Sequence, residues 1–278
     1  MTKIIKVSGK EEVFSKAKLC RSLQKSGTPK MIADSICNRV GEKIKPGMST
    51  TRIFRQALLY LAKKDMPAAA RYSLRRGIAA LGPAGFVFEQ YIEALLQALE
   101  YTTRRDVIMQ GVCVQHEIDV IAERNKTQYL LEMKYHNEPG LRTHIDTIMY
   151  ADARLMDIAK AEEQKEKEKH IHKMWVVTNT EFTETAIKYA ECRRIKLTGW
   201  NYPLGEALPD IIIATKTYPV TILPSITSAT LTNLAVENIV LAQDLLLYTP
   251  KQLMKVAGVE KNIAEKILGE VQELFSQE

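Results

Sequence analysis

The sequence predicts an α/β multidomain protein, with a central mixed sheet between two mostly helical regions. Strand-like apolar runs are concentrated between residues 107 and 180, whereas apolar residues at helical spacing dominate on either side. The length of 278 residues is sufficient for two or three domains. We expect domains over residues 1–82, 83–208 and 226–278, with a connector over residues 209–225.

The composition is that of an ordinary soluble protein, with 46% apolar residues and no run of about 18 that could cross a bilayer. The first residues lack the apolar core of a secretory signal, so we expect a cytoplasmic protein without a membrane partner. Four cysteines lie far apart and form no metal-binding spacing: Cys20, Cys37, Cys113 and Cys192. This spacing predicts reduced, mostly buried thiols, with neither a disulfide framework nor a structural zinc site.

Charge is distributed unevenly along the chain. The net charge is +6, but residues 1–80 contain 18 Lys and Arg against 5 Asp and Glu, and the rest of the chain contains 21 against 28. A basic segment of this kind attracts the phosphates of a nucleotide or a nucleic acid, while the acidic remainder could hold a divalent cation. Ordinary surface solvation is the alternative interpretation of the basic segment.

The N-terminal region is predicted to be small and mostly helical. A short alternating stretch over Lys3–Val7 precedes helical patterns over residues 16–26, 31–43 and 51–64. Thr50 or Thr51 is suitable as the N-cap of the third helix.

The pattern of the central region predicts a helix, three strands, a crossover helix and a further strand. Apolar residues recur at helical spacing from Phe88 to Leu99. Strand-like runs follow at residues 107–114, 117–123, 128–135 and 174–180, with a helical pattern from about Leu141 to Ala161 before the last run. This order predicts a mixed sheet. The highly charged segment over residues 161–173 predicts a solvated helix end or loop.

The C-terminal region predicts a small all-α domain. Three or so short helices are expected over residues 231–247, 249–257 and 259–275, with Gly258 at a bend.

Two neighbouring strands of the central region carry charged residues that core-facing strands usually exclude. Side chains alternate along a strand, so Glu117 and Asp119 are expected on one face, and Glu132 and Lys134 on one face of the next strand. A turn at residues 124–126 would make these strands antiparallel neighbours. We therefore expect the carboxylates and the lysine to meet.

Two carboxylates and a lysine in one place suit the hydrolysis of a phosphodiester. Carboxylate oxygens bind Mg²⁺ or Mn²⁺, and bound metal acidifies water and neutralises charge on a phosphate. We predict Asp119 and Glu132 as metal ligands and Lys134 as the residue that activates water. An edge hairpin with an ordinary ion pair is the alternative. The same Glu-x-Lys spacing recurs at residues 163–165, but no apolar strand surrounds it there.

Four segments carry a resemblance to a known fold: “GFVFEQYIEALL”, “HEIDVIAE”, “LLEMKYH” and “VVTNTEFTETAIKYAECRRIKLTGW”. They resemble, in order, the first helix, the metal-binding strand, the ExK strand and the following segment of the restriction-endonuclease-like PD-(D/E)xK nucleases, most closely the Mrr branch. The resemblance implies that Asp119 and Glu132 bind metal, that Lys134 is catalytic, and that Glu89 is an auxiliary acid near the metal. Ile118 stands where the family signature has a proline.

Three segments of the basic region carry a second resemblance: “IIKVSGKEEVFSKAKLCRSL”, “MSTTRIFRQAL” and “PAAARYSLRRGI”. They resemble the ATP-cone, a regulatory domain of class I and III ribonucleotide reductases that closes over ATP or dATP. The resemblance implies a nucleotide site formed by Lys6, Glu12, Ser15, Lys18, Thr50 and Ile53. Lys6 and Lys18 suit the triphosphate, Glu12 the base or ribose edge, and Ile53 the adenine ring.

Two positions leave questions about that nucleotide site. Val7 replaces a residue that is often basic in the family, so the choice between ATP and dATP stays open. Phe54 is interpreted as a core residue, with stacking on adenine as the alternative.

The segment “LYTPKQLMKVAGVEKNIAEKIL” resembles a helix-hairpin-helix, in which backbone N–H groups bind a nucleic-acid phosphate. The resemblance implies DNA contacts at Gly258, Val259 and Lys261. Glu260 stands where a second glycine is expected, and a carboxylate beside a phosphate is unfavourable. A small helical packing or dimerisation module is the alternative.

The leading hypothesis is a metal-dependent deoxyribonuclease that is regulated by ATP or dATP, through a change of homo-oligomeric state at the cone or the C-terminal helices. The alternative is a non-cleaving protein that senses a nucleotide and holds DNA or a protein. RNA as the polymer is a third interpretation, because the predicted site distinguishes neither sugar.

Overall fold

The computed structural model of the chain describes residues 2–6, 9–82, 86–138, 140–164 and 171–276. These residues form two compact units, one comprising residues 1–77 and 218–278 and the other residues 78–217. The predicted division into three domains and a connector is finer than this, and it remains a prediction. Among the described residues, no helix combines the length and apolar character needed to cross a membrane.

The N-terminal part of the first unit is mostly helical. Its elements are β1 (Lys3–Ile5), β2 (Glu11–Val13), α1 (Lys16–Lys25), α2 (Lys30–Glu42), α3 (Thr50–Ala62) and α4 (Met66–Ala79). The first three helices lie where the sequence predicts them, and β2 pairs with β1 in an antiparallel hairpin that the sequence pattern did not reveal. Ser49 is the N-cap of α3 and accepts a hydrogen bond from the Arg52 N–H at 3.2 Å. The prediction of Thr50 or Thr51 as the cap is therefore wrong by one or two positions.

A disulfide links Cys20 of α1 to Cys37 of α2, whose Cα atoms are 5.8 Å apart. The prediction of four reduced thiols is wrong, because the packing of α1 against α2 brings together cysteines that are 17 residues apart in the sequence. Cys113 and Cys192 are free but exposed, so the expected burial does not hold for them either.

The second unit contains the central sheet. Its elements are α5 (Phe86–Ala98), β3 (Thr102–Gln110), β4 (Gln115–Arg124), β5 (Thr127–Lys134), β6 (Arg142–Thr143), α6 (Ile145–Glu163), β7 (Ile171–Thr178), β8 (Glu181–Phe182), α7 (Glu184–Arg193), β9 (Lys196–Thr198) and α8 (Leu208–Thr215). The strand order is β3-β4-β5-β7-β9, with β3, β4 and β5 antiparallel and β5, β7 and β9 parallel. The predicted mixed sheet is confirmed. Of the charged segment predicted as a helix end or loop, residues 161–164 do end α6, residues 171–173 belong instead to β7, and residues 165–170 lie outside the described residues.

A two-residue turn joins β4 to β5 and sets their register. Asn125 and Lys126 both have positive φ, 53° and 61°, and Arg124 pairs with Thr127. This is the backbone of a tight hairpin whose twist matches that of the strands. The turn lies at the predicted position.

Different helices cover the two faces of the sheet. One face packs against α6 and α7 through a core cluster that includes Leu130, Met174 and Val176. The other face meets α5. Tyr135 is an odd number of residues from Leu130, so its side chain is on the opposite face of the sheet, and its ring lies 5.4 Å from the ring of Phe88 on α5. The end of β5 is therefore enclosed between α5 and α6.

The pairing of β3 with β4 is irregular at one point. Asp106 has a φ of 52°, and the register places it opposite Asp119, where the regular ladder is interrupted. Ile118 and Ile121 both pack in the core cluster with α6, although a regular strand would point them to opposite faces. The strict alternation that the sequence predicts through Asp119 is therefore wrong, and β4 changes face at this residue.

The C-terminal part of the first unit is helical, as predicted. It contains short 3₁₀ helices over Val220–Ile222 and Ala242–Leu247, and the helices α9 (Ser228–Val236), α10 (Pro250–Ala257) and α11 (Lys261–Ser276). Thr221 Oγ1 donates to the carbonyl of Gly77 at 2.7 Å, and Ser73 Oγ donates to the carbonyl of Ile222 at 3.3 Å. Residues of the predicted connector therefore pack directly against α4.

Candidate nuclease site

Asp119 and Glu132 lie on adjacent strands where β4 and β5 separate. Val120 pairs with Leu131, so one further step of the antiparallel register brings Asp119 opposite Glu132. The ladder stops there, because the Met133 N–H donates to Asp119 Oδ2 at 2.6 Å instead of to a backbone carbonyl. The Asp119 carboxylate is thus inserted between the strands beside Glu132.

Burial raises the pKa of both carboxyl groups. The pKa of Glu132 is raised to about 7, first by burial and then by the charge of Asp119, although Arg154 and Lys134 lower it. Burial also raises the pKa of Asp119, against the effect of the Met133 hydrogen bond. Two carboxylates that repel each other in a water-poor place are stabilised by a cation between them.

Glu89 approaches the same site from α5. Its pKa is raised to about 6, first by burial and then by the charges of Asp119 and Asp106. The charge of Glu89 in turn contributes to the raised pKa of Glu132. The charges of Glu89, Asp119 and Glu132 therefore act on one another across this site, and the roles that the resemblance implies for them remain predictions.

Lys134 is the last residue of β5 and is exposed. Burial lowers the pKa of His136 and the charge of Lys134 lowers it further, while the same charge partly offsets the raised pKa of Glu132. The Thr178 hydroxyl donates to the Lys134 carbonyl at 2.7 Å and fixes the end of this strand. The amine thus has access to solvent while its charge acts on Glu132.

Two residues that sequence reasoning missed belong to this site. Asp106 raises the pKa of Glu89 and of Asp119 from its distorted position in β3. Arg154 of α6 donates to Glu132 Oε2 at 2.5 Å. Asp106 lies one residue before the strand-like run predicted over residues 107–114, whereas β3 begins at Thr102, so the sequence pattern placed Asp106 outside the strand. No local pattern indicates the role of Arg154, because its partner is 22 residues away on another element.

The donor set suits a hard divalent cation. No three Asp, Glu, His or Cys side chains within the described part of the chain form a ready-made metal cage. Mg²⁺ commonly uses only one or two carboxylates, and takes its other ligands from water and substrate phosphate. Asp119 and Glu132 could supply these carboxylates, because each engages only one oxygen in a hydrogen bond with a described residue.

The predicted nucleotide residues of the basic region are only partly brought together. Glu12 pairs with Lys6 at 2.6 Å and with Lys18 at 3.0 Å, and these two lysines lower the pKa of Glu12. Ser15 is the N-cap of α1 and accepts from the Lys18 N–H at 3.3 Å. These four residues form one cluster at the start of α1.

The other two predicted nucleotide residues lie at the start of α3. A backbone bridge between Ile5 and Ser49 holds this helix end beside β1. Thr50 is exposed to an intermediate degree there, but Ile53 is only 5% exposed and packs in the core. Phe54 stacks on Tyr72 at 4.8 Å, which favours its interpretation as a packing residue.

The bend predicted at Gly258 is present between α10 and α11. Gly258 ends α10 with a φ of 65°, and a Cβ at this position would lie 2.6 Å from Nδ2 of Asn233. The Val259 N–H turns back to the Met254 carbonyl at 3.3 Å. Lys261 begins α11 and lies 3.7 Å from Glu265. DNA contact at this hairpin remains a prediction.

Two family models match the chain. Residues 83–200 match a restriction endonuclease family of the Mrr catalytic type, and residues 218–275 match the family described as AF1548-like, C-terminal. The first match contains Glu89, Asp119, Glu132 and Lys134. The second covers the helical C-terminal part.

One relative and two solved structures are similar to the chain. The relative is an uncharacterized protein from Archaeoglobus fulgidus, 36% identical over 182 residues, which are 65% of this chain and 98% of that protein. The crystal structure of a protein of unknown function, AF1548, is 33% identical, covers 69% of this chain and 99% of its own, and has a TM-score of 0.58. Can2 from Sulfobacillus thermosulfidooxidans, solved with cyclic tetra-adenylate, is 15% identical over 75% of this chain and 63% of its own, with a TM-score of 0.34.

Proposed function

Because this chain belongs to the AF1548-like family and includes a restriction-endonuclease-type domain, we propose that it is a metal-dependent nuclease that hydrolyses DNA phosphodiester bonds. One observation supports the proposal: the Asp119 carboxylate is inserted between β4 and β5 beside Glu132, whose pKa is raised by burial and by the charges of Asp119 and Glu89 and is partly offset by that of Lys134. Carboxyl groups with strongly raised pKa values, such as those of Glu132 and Glu89, are typical of a functional site.

Asp119 and Glu132 would hold the cation, each through a carboxylate oxygen that no described residue occupies. Mg²⁺ or Mn²⁺, when bound, supplies a Lewis acid that lowers the pKa of water and neutralises charge on the phosphate. The pKa values of both carboxyl groups are raised because burial and neighbouring carboxylates disfavour their negative charge. A bound cation would favour that charge, so both groups would bind it in their ionised form.

Lys134 and Glu89 would act on protons and on the phosphate. The exposed amine of Lys134 can orient or deprotonate the attacking water, and as an ammonium it can stabilise charge on the phosphate. A carboxyl group with a pKa of about 6 can accept or return a proton near neutral pH, which suits Glu89 as an auxiliary acid.

The test is cleavage of linear, branched and single-stranded DNA, and of RNA, in Mg²⁺ or Mn²⁺. We expect Asp119→Asn and Lys134→Met to reduce the rate by at least about 100-fold while the far-UV circular dichroism stays unchanged. Lys173→Met is the matched control, because Lys173 is exposed at the opposite end of the sheet on β7. Unchanged cleavage by both site variants would refute the assignment, and cleavage of RNA alone would reassign the substrate.

Regulation by ATP or dATP is a second, separate part of the proposal. The cluster of Lys6, Lys18 and Glu12 beside the capped start of α1 supports a phosphate-binding place, because two ammonium groups share one carboxylate there. Saturation with either nucleotide at about 100 times the dissociation constant should stabilise the protein by about 2.7 kcal/mol. The measurement is thermal unfolding with each nucleotide, alongside mass in solution and cleavage rate. No shift with either nucleotide would remove the regulatory part and leave the nuclease assignment intact.

A non-cleaving DNA-binding or sensing protein is the second candidate function. The observation that favours it is the ion pair between Arg154 and Glu132, which occupies one oxygen of a predicted metal ligand. Under this alternative the wild-type protein would bind DNA with either cation and cleave none of the four substrates.

A further inference from the structure

Arg154 contacts Glu132 from a helix that no predicted site residue occupies. Its Nη1 donates to Glu132 Oε2 at 2.5 Å, and its Nη2 donates to the Tyr150 hydroxyl at 2.9 Å. The guanidinium also lies over the Tyr150 ring, 4.3 Å from the ring centre. Tyr150 is one helical turn before Arg154 on α6, so the two side chains form a preassembled pair.

The ion pair is largely shielded from solvent. The side chains of Arg154 and Glu132 are 16% and 17% exposed, and Nε of Arg154 is buried with no hydrogen-bond partner in the described part of the chain. Surface ion pairs are usually well hydrated and contribute little, and buried N–H groups are nearly always satisfied. The shielded contact with an unsatisfied donor therefore calls for a functional explanation.

The helix that carries Arg154 is anchored on both sides of this residue. Asp152 accepts from the Tyr189 hydroxyl at 2.8 Å and from Arg193 Nε at 2.6 Å, which ties α6 to α7. Asp157 Oδ2 lies 2.8 Å from Nε2 of His116 on β4. Arg154 lies between these anchors, so the guanidinium has a fixed position relative to β4 and β5.

Two roles are compatible with an arginine on a metal-ligating carboxylate. The guanidinium can compete with the cation for the Glu132 carboxylate. Alternatively, it can bind one carboxylate oxygen and thereby orient the other oxygen toward the cation. The fixed helix and the tyrosine clamp favour the second role, because a competitor must withdraw when the cation binds. Only Oε2 of Glu132 is engaged, and Oε1 accepts no hydrogen bond from any residue that the structure describes.

Resting on the proposed nuclease function, we propose that Arg154 is a positioning residue that holds Glu132 Oε2 and presents Oε1 to the divalent cation. Tyr150 is the support that orients the guanidinium. Partners of ligating carboxylates commonly change metal affinity by about 10- to 100-fold when they are removed. Arg154 acts on the cation through Glu132 and touches neither the cation nor the substrate in this role.

The experiment measures Mn²⁺ affinity of the full chain at pH 8 by electron paramagnetic resonance of free Mn²⁺, without any substrate. Arg154→Met should weaken binding by about 10- to 100-fold. Arg154→Lys should restore part of the affinity, because it keeps a cation near Oε2, and Tyr150→Phe should give a smaller loss. Arg194→Met on the end of α7 is the matched control for removal of an exposed arginine, and Asp119→Asn reports whether Mn²⁺ binds at this site.

The outcomes separate this inference from the proposed function. If Asp119→Asn abolishes binding but Arg154→Met leaves it unchanged or tightens it, Arg154 does not position Glu132, while the nuclease assignment stands. If the wild-type protein binds no Mn²⁺, the proposed function and this inference both fail. Should Arg154→Met not fold, Arg154→Lys and Tyr150→Phe decide, and unaltered affinity in both would overturn the inference.

Discussion

Glu132 and Glu12 are two partly covered carboxylates beside basic side chains, and their pKa values are shifted in opposite directions. Their side chains are 17% and 24% exposed, and each makes a close ion pair. The pKa of Glu132 is raised to about 7, whereas the pKa of Glu12 is lowered. Accessible area and the presence of a basic partner therefore do not determine the ionisation of a glutamate.

The difference lies in what replaces water around each group. Lys6 and Lys18 both donate directly to Glu12, so two ammonium groups compensate for the lost solvent. Burial at the end of β5 is the largest cause for Glu132, and the charge of Asp119 adds to it, so a single guanidinium is insufficient. The site in the sheet is thus short of positive charge, while the N-terminal cluster has a cation in excess.

The largest effect is expected on the cleavage rate, and it distinguishes the two Glu-x-Lys spacings in the sequence. Glu132→Gln should reduce Mg²⁺-dependent cleavage by at least about 100-fold, because the amide is a poor ligand for a hard cation. Glu163→Gln, in the second spacing at the end of α6, should cleave at the wild-type rate. Initial rates on one DNA substrate measure both. Equal losses in the two variants would mean that the spacing itself, and not its place on β5, carries the function.

The second effect is on the pH dependence of the free energy of unfolding, which has opposite signs for Glu132 and Glu12. The raised pKa of Glu132 means that the folded state holds its proton more tightly than the unfolded state, so stability is lost as pH rises from about 4.5 to about 7. Between pH 5 and pH 8 the free energy of unfolding of the wild-type protein should fall by roughly 2 kcal/mol more than that of Glu132→Gln. The variant should therefore be the more stable of the two at pH 8. Urea unfolding without metal, at several pH values, measures this difference.

Glu12→Gln serves as the opposite case for that stability measurement. Because the pKa of Glu12 is lowered, its contribution to stability is present above the unfolded pKa and is lost as pH falls through the folded one. The variant should therefore be the less stable protein at pH 8. A curve for Glu132→Gln that runs parallel to the wild-type curve from pH 5 to pH 8 would contradict the raised pKa.

A smaller effect is the release of protons on ligand binding. At pH 6.5 Glu132 is largely protonated, so Mn²⁺ binding should release roughly one proton, and release should approach zero at pH 8.5. At pH 8.5, where the phosphates of ATP are fully ionised, binding of ATP near Glu12, whose pKa is lowered by Lys6 and Lys18, should release almost none. Titration calorimetry in two buffers of different ionisation enthalpy gives both numbers. If proton release on Mn²⁺ binding does not change with pH, the pKa of Glu132 is not raised to about 7.

The smallest expected effect is the salt dependence of Glu12→Gln. Its ion pairs with Lys6 and Lys18 have solvent-exposed ammonium groups, so added salt screens them. The difference in melting temperature between this variant and the wild-type protein should shrink from 50 mM to about 0.5 M salt, where the Debye length is only a few ångströms. A difference that grows with salt would show that the cluster is not held by screened charges.

Much of the central unit was predictable from local pattern. The turn at Asn125 and Lys126 lies at the predicted place, and α5 and β5 begin and end within two residues of the bounds that apolar spacing predicts. These features depend on neighbours within a few residues, which a sequence displays directly. The same local reasoning missed the Cys20–Cys37 disulfide and mistook the alternation through Asp119, because both depend on which elements pack together.

By itself, the sequence determined the order of helices and strands, the uneven charge, and the carboxylates and lysine on two adjoining strands. The tertiary structure alone decided that Asp106 faces Asp119, that Arg154 pairs with Glu132, and that the ionisation of Glu132 and Glu12 shifts in opposite directions. The physical reason is that burial and charge act through space. A pKa depends on every group within several ångströms, and these groups come from elements that the linear sequence separates.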